Sequence, residues 1–293
     1  MSATVNASLL DIHPRDLKKI IKDIPTLPLI YQELFRMMQD PDASVPAIAD
    51  LITQDQALTA KILHLVNSAF YGYNKQIKTI SRAVVILGFK AVRNAAMAIS
   101  VFDYFKDESR TEEIDLTKFW EHSIAVATIC KVLAEEAKIS GTEEAFTIGL
   151  LHDAGKLIEK RYFPQDFAEL CEVAQEQNMS WIDAERALFQ VNHATIGKVV
   201  FRMWDFPPSV VDAVHLHHAN LETAKYPQLA ALVHLADWMA YRMDLGAPGA
   251  LPPDDVQMEA FKLLNLQPEQ LEGFVGRIRE ELESSLQILK LLD

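Results

Sequence analysis

The residues best able to do chemistry in this sequence are histidines and aspartates that fall on apolar helical stripes. His122 lies on the stripe Phe119, Val126, Ile129, Leu133. His152 follows Ala145, Ile148 and Gly149, while Asp153 follows Phe146 and Leu150 and leads to Leu157. His193 opens the stripe Ile196, Gly197, Val200, Trp204, directly after Asn192, a good N-cap residue. His217 and His218 follow Val210, Val211 and Val214 on a helix started by Pro207-Pro208. Asp237 sits between Val233 and Ala240 on one face. An ionisable group on such a stripe is carried inward and costs free energy unless something compensates it.

Each of these residues alone has an ordinary reading, as a hydrogen-bonded core histidine or as an aspartate paired with arginine or backbone. Together they point elsewhere. Two buried carboxylates with no basic residue at matching stripe positions are costly, and a divalent cation compensates both while ordering the imidazoles. The expected ligand set is His122, His152, Asp153, His193, His217, His218 and Asp237. Imidazole and carboxylate without thiolate suit Fe, Mn, Zn, Ni or Co rather than calcium, as one or two ions with Asp153 as the bridge. Two ions about 3.5–4 Å apart can polarise a phosphate and supply a hydroxide, the usual arrangement for phosphoester hydrolysis. In that chemistry Asp153 is catalytic. Lys156, one turn on, either reaches a substrate phosphate as a point charge or is an ordinary solvated helix lysine.

The elements that must position these groups read as helices nearly throughout, because apolar residues recur every three or four positions and alternate almost nowhere. Helices are expected over about 14–23, 27–39, 45–53, 56–70 and 79–105, then 116–137, 143–161, 180–189, 192–204, 208–218 and 226–243. The charged stretch KDESRTEEID separates a first helical half, 1–110, from a core, 111–245, that holds all the metal-type residues. LGAPGALPPDD cannot continue a helix, and the remainder of 246–293 reads as one or two acidic amphipathic helices that pack on the core or cover it. No fixed-period repeat or low-complexity tract occurs.

A chain of 293 residues, 49% of them hydrophobic, can bury a large core. The net charge of −13, with basic residues scattered, argues against nucleic acid as a partner. Neither an uncharged apolar run of membrane-spanning length nor a basic-then-apolar leader is present, so a cytoplasmic protein without a membrane partner is expected. Cys130 and Cys171 lack a CxxC partner and read as buried, reduced thiols.

GLLHDAGK, preceded by His122 and followed by VHLADWMA, resembles the metal-dependent HD phosphohydrolase superfamily, with His122, His152, Asp153 and Asp237 at its signature positions. A longer match over about 24–220 is similar to the HDOD family of bacterial signalling domains. It is carried by IPTLPLIYQELFRMMQDPDAS, by DLITQDQALTAKILHLVNSAFYGYNKQIKTISRAVVILGFKAVRN and by NHATIGKVVFRMWDFPPSVVDAVHLHHAN. The resemblance implies an all-α, HD-like helical bundle with an N-terminal helical HDOD half. It also implies a regulatory module that retains a metal site of dinuclear design and works on an unidentified signalling protein such as a kinase, cyclase or regulator. His193, His217 and His218 match further ligands of the HD-GYP type, which keeps open a metal-dependent phosphohydrolase acting on a cyclic dinucleotide or other phosphoester. The Gly-Tyr-Pro loop of that type is missing after His218. Lys118 stands where some relatives have a glutamate for a third metal, so two ions are the ceiling. In the N-terminal half Asn67, Ser68 and Tyr71 read as closing a helix end, and His64 as structural.

Overall fold

The computed structural model describes residues 9–11, 17, 27–40, 43–68, 73, 75–105, 115–245, 256–286 and 289. The expected helix over 14–23 except Leu17, together with Tyr71 and almost all of both predicted linkers, lies outside the described residues. Among the described residues every regular element is a helix, so the protein is all-α. The first group comprises α1 (Leu29–Gln39), α2 (Val45–Thr53), α3 (Gln56–Val66) and α4 (Ile80–Phe105). The second comprises α5 (Leu116–Glu136), α6 (Thr142–Leu151), α7 (Ala154–Tyr162), α8 (Pro164–Glu176), α9 (Trp181–Leu188), α10 (His193–Met203), α11 (Pro208–Leu216) and α12 (Pro227–Arg242). Two tail helices follow, α13 (Met258–Leu264) and α14 (Leu271–Ser285).

Local chemistry sets many of the helix starts. Ser44, Asp55, Asp115, Ser180 and Asn192 each accept a backbone N–H of the first turn that follows, satisfying donors the helix cannot pair itself. Proline occupies the first turn of α2, α8, α11 and α12, where its missing N–H costs nothing. At the end of α3, Asn67 accepts from the Ile77 N–H at 2.7 Å and donates to the Ile77 carbonyl at 2.8 Å, closing the helix end as its residue type predicts.

Three boundaries differ from the sequence reading. The helix expected over 79–105 is broken at Gly88, whose φ of 87° is a left-handed conformation only glycine adopts cheaply. The helix expected over 143–161 is two helices, with His152 and Asp153 in the turn between α6 and α7. Pro164–Glu176, not assigned from sequence, forms α8. Two side-chain readings also change: His64 is exposed on the last turn of α3, and Cys171 is only half-buried, while Cys130 is fully buried.

One continuous apolar core runs through both groups of helices. α5 is its axis, packed by α6, α12 and α14, and α4 lies against α6. Phe102 meets Trp120 edge-on at 4.1 Å between ring centres, Phe35 meets Phe206 at 5.5 Å, and Tyr104 meets Trp204 at 5.0 Å. Ile80–Phe105 is long and apolar enough to cross a membrane by length and composition, but 61% of its apolar window is buried within the fold, as a core helix would be.

The tightest backbone approach lies beside the His152-Asp153 turn. A Cβ on Gly155 would stand 1.9 Å from the His193 carbonyl oxygen, so α7 and α10 meet backbone to backbone there. Gly155→Ala should therefore cost about 3 kcal/mol or more, as overpacking does when backbone must move. Gly273→Ala, at an α14 site with nothing within 4 Å of the added carbon, should gain about 0.5–1 kcal/mol from helix propensity. Urea denaturation of the two variants checks both signs.

Candidate metal centre

Helix ends and helix faces deliver the polar groups to one point in the second half. His122 projects from the middle of α5 and Asp237 from α12. The α6–α7 turn presents His152 and Asp153, the first residue of α10 is His193, and α11 ends at His217 and His218. All seven residues expected from sequence are thus brought together. They form two neighbouring groups, Asp153, His193, His217 and His218 in one and His122, His152 and Asp237 in the other, each with its donor atoms within 4.8 Å of one another. Asp153 lies between them: its Oδ1 is 3.2 Å from His193 Nε2, and its Oδ2 is 3.4 Å from His152 Nε2 and 3.9 Å from His122 Nε2. Asp237 Oδ1 is 3.1 Å from His122 Nε2 and 3.6 Å from His152 Nε2.

Neighbouring groups decide which ring nitrogen faces inward. Nδ1–H of His152 donates to the Gly149 carbonyl at 2.7 Å and that of His217 to the Val214 carbonyl at 2.7 Å. A carbonyl only accepts, so Nε2 carries the lone pair of each neutral ring. His193 Nδ1 is held by Glu185 at 2.8 Å, and the same carboxylate accepts the His193 backbone N–H at 2.8 Å. The Nε2 atoms of His193 and His217 then face each other at 3.4 Å. His152 Nε2 and Asp153 Oδ1 are buried without a well-aligned hydrogen bond.

Burial opposes charge at both carboxylates, yet His152 and Lys156 hold Asp153 well below the usual carboxylate range, and His122 and His152 do the same for Asp237. Burial lowers His152, but Asp153 and Asp237 outweigh it and raise the ring to about 10. Burial, then the neighbouring rings, pushes His217 and His218 well down, keeping them neutral. A convergent set of buried lone pairs and two carboxylates, with imidazole Nδ1 atoms already committed outward, is a donor set that fits a divalent transition metal.

Of the two readings of Lys156, the solvated one is overturned. The residue is 3% exposed, and its Nζ donates to Asp153 Oδ2 at 2.6 Å beneath the Trp181 ring. The cluster therefore does contain a basic residue, three positions beyond Asp153, and the premise that no stripe position supplied one is corrected. Glu185 was missed altogether; its place on the stripe Ile182, Glu185, Phe189 was the available signal. Glu159, fully buried on α7, is raised well above the usual carboxylate range by burial and by Glu185. Lys118 is exposed.

The HDOD domain family matches residues 24–220. This chain belongs to the HDOD family. An uncharacterised protein of Treponema pallidum is 27% identical over 252 residues, covering 85% of this chain and 48% of its own, so the chain spans about half of that relative. The crystal structure of an HDOD domain protein of unknown function from Geobacter sulfurreducens superposes with a TM-score of 0.74 at 25% identity, covering 93% of this chain and 96% of that one. A candidate phosphohydrolase from Shewanella amazonensis gives 0.74 at 26% identity, covering 97% and 100%. The family match ends at residue 220, and the likeness in fold to these structures extends beyond it.

Glu185→Ala should leave the Nδ1–H and backbone N–H of His193 buried and unpaired, a loss of roughly 2–4 kcal/mol from two such groups. Glu185→Gln, which still offers an acceptor, should lose less than half of that; denaturant midpoints of both variants check the order.

Proposed function

We propose that this HDOD chain is a regulatory module of bacterial signal transduction whose His/Asp centre holds one or two divalent transition-metal ions and which acts through contacts with a signalling protein. The observation that carries the metal reading is the inward convergence of buried imidazole Nε2 atoms on two carboxylates, Asp153 and Asp237, that are themselves buried at one point. His122, His152 and Asp237 would hold one ion and His193, His217 and His218 the other, with Asp153 shared. Glu185 and the Gly149 and Val214 carbonyls act as positioning groups that turn the Nε2 atoms of His193, His152 and His217 inward.

Closure of the centre supports regulation over turnover. His122, His152, Asp153, His193, His217 and Asp237 are at most 3% exposed, and the His218 side chain is 10% exposed. A substrate of dinucleotide size needs an open coordination position and a channel. The segment entering α13 is tied down beside the His217-His218 pair, since Gln257 donates to the Ala219 carbonyl at 2.8 Å and to His234 Nε2 at 3.0 Å.

A second reading, a metal-dependent phosphohydrolase acting on a cyclic dinucleotide or another phosphoester, is favoured by the placement of Asp153 between the two donor groups and by the likeness to the Shewanella protein. When bound, such ions polarise a phosphoryl oxygen and lower the pKa of water. Here Asp153 would fix the geometry, and Lys156 would keep a positive charge at Asp153 Oδ2 beside the phosphate.

Elemental analysis of purified protein should find one to two transition-metal ions per chain, falling by at least half in Asp153→Ala; equal metal in that variant would remove the ligand assignment. Saturating Mn²⁺ should raise the melting temperature of the metal-stripped protein by roughly 5–10 °C, the shift expected for binding at about 100 times Kd in a chain of this size. Metal-loaded protein should show no turnover of cyclic di-GMP or of a generic phosphodiester in Mn²⁺ or Fe²⁺. Turnover that disappears in Asp153→Ala would instead establish the enzyme.

A further inference from the structure

Away from the buried centre, α10 and α11 enclose a second feature on their solvent-facing side: a cleft of about 680 Å³. Its volume suits a drug- or nucleotide-sized ligand. Lys198 and Arg202, one turn apart on α10, and Lys225, on the segment leading to α12, bring three cations to it in a chain of net charge −13. The floor is apolar, formed by Phe206 and Val211. Two carboxylates also line the cleft, Asp205 and Asp212, but Asp212 is turned to the loop, where its Oδ2 accepts the N–H groups of Lys225 and Tyr226 at 2.7 and 3.0 Å.

Lys198 is the informative residue. Its ammonium lies 3.3 Å from both ring nitrogens of His215, a geometry that can satisfy one donor at best. Partial burial, then the Arg202 charge, lowers its pKa, with Asp212 opposing weakly. A half-buried cation crowded by a second cation and a basic ring is stabilised by any anion that accepts its remaining donors, and a phosphate also bridges to guanidinium.

We propose that the cleft between α10 and α11 binds a small phosphorylated ligand of nucleotide size, its phosphate held by Lys198, Arg202 and Lys225 and its less polar part laid over Phe206 and Val211. The site lies on the two helices that bear His193, His217 and His218, yet it shares no side chain with the His/Asp cluster. Ligand seated there contacts both helices at once and so bears on how those histidines are presented. Binding itself does not require that the cluster hold metal.

Inorganic phosphate is the probe. Titrated into the full chain at constant ionic strength, it should shift the amide resonances of Lys198, Arg202, His215 and Lys225 saturably, and sodium chloride should not. The double variant Lys198→Met/Arg202→Met should weaken phosphate at least tenfold, and Lys225→Met severalfold, with helical circular dichroism unchanged in both. Protein stripped of metal with a chelator should bind phosphate as the untreated protein does, which separates this cleft from the metal centre. Equal binding by the cleft variants, the same shifts from chloride, or loss of phosphate binding on metal removal with helical circular dichroism unchanged would each overturn the proposal.

Discussion

Compensation of two carboxylates in an apolar bundle is the constraint on which the second half of this fold depends. Asp153 and Asp237 are both essentially buried, and burial by itself disfavours their charge. An isolated ion in such a place costs several kcal/mol even after relaxation. The fold meets that cost by ending and starting helices around Asp153, while Asp237 and His122 reach the same point from within α12 and α5. The α6–α7 turn, the start of α10 and the end of α11 converge there, so imidazoles arrive on short, well-fixed backbone rather than on long flexible stems. The backbone approach at Gly155 follows from the same demand, because α7 and α10 must nearly touch for His193 to reach Asp153.

Much of this was legible because stripe position alone sends a side chain inward. His122, His152, Asp153, His193, His217, His218 and Asp237 each lie in phase with apolar residues, and phase within a helix survives uncertainty about where that helix begins. Glu185 obeyed the same rule and was passed over, and Lys156 was weighed as phosphate-facing or solvated but not as a buried partner of Asp153, because charged residues on short helices are ordinarily solvated. α7 has no solvated face for such a lysine, since Lys156, Glu159 and Lys160 are all buried with α8 and α10 packed against it. Sequence periodicity reports one apolar stripe, and it is silent about a helix covered on more than one side.

The helix that supplies part of that cover is the one the sequence reading left out. α8 is polar along much of its length, but Phe167 and Leu170 are fully buried and Phe167 packs on Trp181 at 5.3 Å between ring centres. Trp181 in turn roofs Lys156. An element that contributes nothing to the His/Asp cluster thus helps hold the lysine of the centre. The break in α4 was likewise hidden, because Gly88 has open space around it and only its backbone angle, not a packing contact, marks the end of the first segment.

The connection between the centre and the tail follows from hydrogen bonds rather than from proximity alone. His234 donates from Nδ1 to the His217 carbonyl at 2.7 Å and accepts the Gln257 N–H on its other nitrogen. One neutral ring therefore joins the end of α11, the middle of α12 and the entry to α13. Burial holds the ring in that neutral form by lowering its pKa. Displacing the segment that enters α13 would leave His234 Nε2 without its donor and would free the Ala219 carbonyl next to His218. Opening the centre on this side and moving the tail are for this reason coupled events.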